Sequence, residues 1–190
     1  MNQPTPAIVA QAAMRRLPRW LLLLFCLAYI VPGFVARNPW KNDDIVAFGY
    51  MRELALGHAN WLHPLLAGMP LENPGPLPYW IGAWALRLAP AWIAPDLTAR
   101  LPFMALLALT LTATWYGVSY LARRSSAQPV AFAFGGEATP IDYARTIADG
   151  GLLALIACLG LAQLSHEGTT YLVQLACTTL VFFALAAAPY

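Results

Sequence analysis

Asp43 and Asp44 stand side by side just after the first apolar run of the chain, in the stretch Trp40-Lys41-Asn42-Asp43-Asp44. Glu72 follows in Leu71-Glu72-Asn73-Pro74-Gly75-Pro76, where a second apolar run begins, and Asp149 stands just before a later one. Ionisable groups at a membrane boundary are costly to place and usually serve a pathway or a reaction. Carboxylates gathered from distant parts of a chain can hold a hard divalent cation, which in turn holds a phosphate or diphosphate leaving group. A remaining carboxylate can act as general base toward an acceptor hydroxyl or amine. Each acid alone has a plainer reading. Asp43 and Asp44 suit a helix N-cap and first turn, worth ~0.5–2 kcal/mol for the cap. Glu72 suits a solvated loop, and Asp149 the cap of a following helix. Their joint arrangement, each at the end of an apolar segment, is what points to chemistry.

Other candidates carry less. His166-Glu167 is followed by Thr170 where the zinc-protease pattern H-E-x-x-H needs its second histidine. His58 and His63 flank a polar loop without a defined partner, and Gly135-Gly136 lacks the G-x-x-x-x-G-K phosphate cradle. Cys26, Cys158 and Cys177 fall inside apolar runs without C-x-x-C spacing and read as small hydrophobes.

The segments that must position these groups are apolar. With 59% apolar and 11% charged residues and a mean hydropathy of +0.57, the chain falls outside the range of soluble domains. The expected class is an all-α integral membrane protein, a single module over residues 1–190 with about five transmembrane helices. They are expected at 20–36, 77–94, 101–121, 150–164 and 171–188. Ile45, Phe48, Met51 or Arg52, and Leu56 fall at helical spacing, with Gly57 as a stop. They predict an amphipathic helix over 43–56, lying along the membrane surface. The net charge of +2, without a basic stripe, gives no reason to expect a nucleic-acid partner.

Arg15, Arg16 and Arg19 precede the first apolar run like the start of a signal peptide, but the run extends to Ala36 without a small-residue cleavage pattern. It reads as an uncleaved anchor whose N-terminus is held in the cytoplasm. Counting from there puts the loops 37–75 and 123–149 outside on one face and the turn Ser165-His166-Glu167-Gly168 on the cytoplasmic face. Arg123-Arg124 then falls outside, against the charge bias, with the three leading arginines taken to set the orientation.

The run from Arg37-Asn38-Pro39-Trp40-Lys41-Asn42-Asp43-Asp44 to Met51-Arg52-Glu53-Leu54 resembles the GT-C superfamily of glycosyltransferases, near lipid A aminoarabinose transferases and protein O-mannosyltransferases. Glu72 to Tyr79-Trp80 is similar to that family's Glu-Lys-Pro-Pro-Tyr-Trp pattern, with Asn73 in place of the lysine, and Arg100-Leu101-Pro102 is similar to its Arg-Leu-Pro-Ser. The resemblance covers about residues 20–155 and implies the N-terminal portion of a longer enzyme. It implies an inverting transferase that moves a sugar from a polyprenyl-phosphate donor to a lipid, glycan or protein acceptor. The implied place is the periplasmic face of a bacterial inner membrane. By position, Asp43 matches the catalytic aspartate, Glu72 and Asp149 ligands of a divalent metal ion, and Asp44 a supporting acid. Lys41 or Arg145 would replace the missing lysine toward the lipid phosphate. A second expectation is a non-catalytic membrane subunit, or a relic of such an enzyme. A small-solute transporter is disfavoured, because the acids sit at span ends and not at mid-membrane.

Overall fold

The computed structural model describes residues 7–35, 37–39, 42–71, 75–90 and 92–190. Among them are seven α-helices: α1 (Arg19–Phe34), α2 (Asn42–Leu56), α3 (Leu77–Leu88), α4 (Pro95–Ala122), α5 (Pro140–Ile156), α6 (Leu159–Leu164) and α7 (Thr170–Ala187). A two-residue hairpin, β1 (Leu65–Leu66) and β2 (Met69–Pro70), closes through Gly68 at φ 82°. The protein is mostly helical, as its composition predicts. Two helices, α4 and α7, are long and apolar enough to cross a membrane, and α1 is a shorter apolar helix.

The long helices define two ends. Just past the end of α1, Arg37 meets Asp44 at 3.6 Å, and Arg100 near the start of α4 meets the same carboxylate at 2.7 Å. At the other end, Leu17 before α1 and Trp115 late in α4 both donate to Asp149. Arg100 and Trp115 are fifteen residues apart on α4, which at 1.5 Å per residue separates the two ends by about 22 Å. α1 therefore runs from the Asp149 end to the Asp44 end, and α4 runs back.

α5 starts beside the N-terminal segment, where Arg16 and Asp142 pair at 3.2 Å. With α6 it returns to the Asp44 end, where His166 Nε2 donates to the Tyr29 carbonyl (2.8 Å) and the Gly168 amide to Asp44 (3.3 Å). α7 then descends beside α4, and its last turn accepts from Arg124. Thr110, Thr112, Thr114, Thr178 and Thr179 each turn the hydroxyl back onto the carbonyl four residues earlier, so these helices satisfy their own polar side chains.

This path changes several expectations. The segment over 77–94 is not one long helix. α3 ends at Leu88, about 18 Å long at twelve residues, well short of a bilayer core of roughly 30 Å. It lies alongside α2, with Tyr79 against Tyr50, Gly82 against Met51, and Arg87 donating to the carbonyls of Leu54 and Ala55. The segment 123–149 does not share an end with 37–75. Residues 130–138 pair with the N-terminal strand through Val130 to Ala7, Ala138 to Val9 and Gln11 to Gly136, at the Asp149 end. Its last ten residues are also helix: Thr139 accepts from the Asp142 amide and Pro140 opens α5. The turn at 165–168, in contrast, lies with Asp44 and not opposite to it.

The predicted helix over 43–56 is present as α2, stopped by Gly57 at φ 79°, but its buried face is rotated. Asp44, Ala47, Tyr50, Met51 and Leu54 point inward, whereas Ile45 and Leu56 are exposed.

Gly33 marks the closest approach between α1 and the 165–168 turn. A Cβ there would lie 1.9 Å from the His166 ring. Gly33→Ala is therefore expected to lower stability by about 1–3 kcal/mol through overpacking, read as a fall in the thermal midpoint of the purified protein.

The N-terminal segment is tied to α5 by Asp142, which accepts from Gln11 Nε2 (2.8 Å) and pairs with Arg16. The Gln11 hydrogen bond, with smaller contributions from Thr139, Arg16 and Arg145, holds this carboxyl below its ordinary value of 3.8. A depressed carboxyl stabilises the folded form above the unfolded value and loses that contribution as pH falls through the folded one. Protection of the Gln11 and Ala138 amides from hydrogen exchange, corrected for intrinsic rate, is expected to hold from pH 7 to 5. It is expected to drop only below pH 3.8.

Candidate functional site

The two adjacent acids of α2 point in different directions. Asp44 is buried and Asp43 exposed, as the roughly 100° step between successive helical residues requires. Both lie in the first turn, where the positive end of the helix dipole favours negative charge.

Asp44 ties four parts of the chain together. Its Oδ2 accepts from Arg100 and faces Arg37, and its Oδ1 accepts from the Gly168 amide. Arg100 also donates to the Arg37 carbonyl. The Asp44 and Arg100 side chains are each 4% exposed, so this is a buried ion pair rather than a surface one. With its lone pairs committed to two guanidinium groups and an amide, Asp44 organises the site and is not available as a metal ligand.

Beside this knot, Asp43, Val46, Ala47, Tyr50, Tyr79, Thr169, Thr170 and Tyr171 line a pocket of about 180 Å³. Its walls are aromatic and its floor polar. The Tyr50 hydroxyl is anchored on the Met69 and Pro70 carbonyls at 3.0 and 2.8 Å. The hydroxyls of Thr169 and Thr170 are buried without a hydrogen-bond partner among the described residues. Unmet buried polar groups are costly in a finished structure and call for a partner. Both of these oxygens are closed off from solvent, so what the pocket itself presents is one exposed carboxylate between tyrosine rings, suited to proton removal from a ligand hydroxyl or amine.

The other expected site residues divide. Lys41 and Glu72 lie outside the described residues. Asp149 lies inside α5 and not at a helix cap, 4% exposed, accepting from Trp115 Nε1 (2.8 Å) and the Leu17 amide (3.4 Å). Arg145 donates to the Leu17 carbonyl at the same end. Both belong to the far end of the bundle, which fifteen residues of α4 separate from the Asp44 end by about 22 Å along the helix, so Asp149 cannot share a cation with Asp43 and Arg145 cannot hold a phosphate beside it. Among the described residues no three His, Cys, Asp or Glu side chains form a metal-binding group. The carboxylate set expected for a divalent ion does not assemble around Asp43 among the described residues, and no step is assigned to a metal here.

Three participants were not assigned a role from sequence: Arg100, Gly168 and His166. An arginine inside an apolar run is the signal for the first, since such a charge must find a buried partner. The other two depend on which end their turn occupies, which one miscounted crossing reverses.

No protein-family model matches the chain, and no curated protein or solved structure matches it significantly.

Proposed function

We propose that the chain is a membrane-embedded glycosyl-transfer module of GT-C type, working at the Asp43 pocket on a sugar carried by polyprenyl phosphate. The supporting observation is the pocket itself: an exposed carboxylate and three tyrosines, braced by the buried Asp44–Arg100 pair. Asp43 takes the proton from the acceptor hydroxyl or amine as it attacks the anomeric carbon, and the bond to the carrier phosphate breaks with inversion.

The charge distribution supports the placement. Arg15, Arg16, Arg19, Arg123, Arg124 and Arg145 gather at the end away from Asp43, while Arg37 and Arg100 at the near end are paired with Asp44 and Arg87 with α2 carbonyls. A cytoplasmic assignment of the far end therefore fits the positive-inside bias. The pocket then faces the periplasm of a bacterial inner membrane. Exposed apolar side chains on α1 (Leu23, Leu24, Leu27) and α7 (Leu180, Val181, Leu185) suit contact with lipid. A non-catalytic membrane subunit is the second reading, favoured by the position of Asp149 far from Asp43.

The test is transfer of labelled sugar from polyprenyl phosphate in proteoliposomes, with Asp43→Asn and a pocket-filling Ala47→Leu variant. Loss of transfer in both supports the reading. Transfer that neither variant changes overturns it, and no transfer by the native chain favours the subunit.

A further inference from the structure

We propose that a groove between α1, α4 and α5 binds an acyl chain of an anionic phospholipid, with Arg19, Arg123 and Arg145 receiving its phosphate. The groove has a volume of 390 Å³ and is almost wholly apolar, with Cys26 and Ile30 on one wall, Ala108 and Trp115 on the other, and Leu152 behind. It is distinct from the Asp43 pocket and faces sideways out of the bundle.

The argument lies in how its walls end. On α1 the lining residues Leu22, Leu23, Cys26, Leu27 and Ile30 follow helical spacing, and one turn earlier the same stripe begins with Arg19. On α4 the stripe runs through Ala108, Leu111, Thr112, Trp115 and Tyr116, and two turns further on it ends at Arg123. On α5, Arg145 stands two turns before Leu152. All three walls therefore run into an arginine at the same end.

The nearby acids do not cancel this charge. Asp142 is engaged mainly by Gln11 and Arg16 and only weakly by Arg145, which spends one amino group on the Leu17 carbonyl, and Asp149 is buried against Trp115 and Leu17. Arg19 and Arg123 are exposed, and Arg123 lies over the Tyr120 ring at 5.9 Å. An apolar slot capped by three cations matches a ligand with a long hydrocarbon chain and an anionic head. A zwitterionic lipid would fill the slot equally well but gain less from the cap. The inference rests on the membrane placement and not on chemistry at Asp43.

The experiment uses nanodiscs carrying the full chain and either phosphatidylglycerol or phosphatidylcholine with a photoactivatable group on one acyl chain, the adducts being mapped by mass spectrometry. The expected result is labelling of peptides 22–30 and 108–116, stronger with phosphatidylglycerol. Each of Arg19→Gln, Arg123→Gln and Arg145→Gln is expected to weaken that preference by about fivefold. Ala108→Trp, which fills the slot, is expected to abolish groove labelling, while the exposed Arg19 and Arg123 variants test the idea without touching the packing. Arg145→Gln also removes the hydrogen bond to the Leu17 carbonyl.

Equal labelling by both lipids, unmoved by the arginine variants, overturns the anionic-head assignment. Adducts on α7 but not in the groove overturn the site. Cross-links between two copies through this face overturn it in favour of self-association. Absence of adducts anywhere in the chain would overturn the membrane placement, and this proposal with it. Sugar transfer is expected to be unchanged in all four variants, which separates the outcome from any failure at Asp43.

Discussion

Asp43→Asn is expected to lower sugar transfer by about 10²–10⁴-fold, the range supplied by a positioned general base, while leaving the fold intact. Asparagine keeps the shape and the hydrogen-bonding oxygen but cannot accept the acceptor's proton. The side chain is exposed, and none of the described hydrogen bonds or ion pairs uses it, so little stability is at stake. Single-turnover transfer and thermal unfolding, measured on the same preparation, separate the two effects. Asp149→Asn is the control, since it lies at the far end of α4 and should leave the rate per folded molecule unchanged. An unaltered rate in Asp43→Asn would remove this carboxylate from the chemistry.

Arg100→Met is expected to cost about 3–5 kcal/mol, because it leaves the buried Asp44 carboxylate without its main counter-charge. Asp44→Leu should cost a similar amount by stranding Arg100. The double variant Arg100→Met/Asp44→Leu is expected to recover much of the loss, since replacing both members of a buried pair by apolar groups is often nearly neutral. Arg37 and the Gly168 amide also lose a partner in that variant, so recovery should be incomplete. Denaturant unfolding of the three proteins gives the coupling energy directly. A double variant no more stable than the worse single one would show that the pair is not what holds α2 to α4.

The parts of the fold legible in the sequence are those set by long apolar runs with clear limits. α1, α2 and α7 fall within a residue or two of their expected bounds. α3 and α5 were harder, because helix boundaries there depend on prolines and charges whose effect is decided by packing. Pro95 and Asp96 read as a connection but open α4, and Asp142 and Arg145 read as loop but occupy the first turns of α5. Counting α3 as a crossing had the larger consequence. A single extra crossing reverses the side of every later segment, which separated His166 from Asp44 and joined Asp149 to Asp43.

The face of α2 was misread for a related reason. The usual pattern expects apolar residues to turn inward. Here Asp44 turns inward because only there can it meet Arg100, and Ile45 is left outside. The acids are thus legible as chemistry, whereas Arg100, which decides which of them is free to react, reads only as a family likeness in the connection before an apolar run, with no partner indicated.

The knot at Asp44 also orders events during synthesis. Asp44 and Arg100 are 56 residues apart and can pair before Gly168, the last of the partners in chain order, has left the ribosome. The nascent chain therefore holds its costliest charges neutralised before the bundle closes. The pocket gains Thr169, Thr170 and Tyr171 only when α7 docks, so a chain halted before that point carries the carboxylate without the wall opposite it.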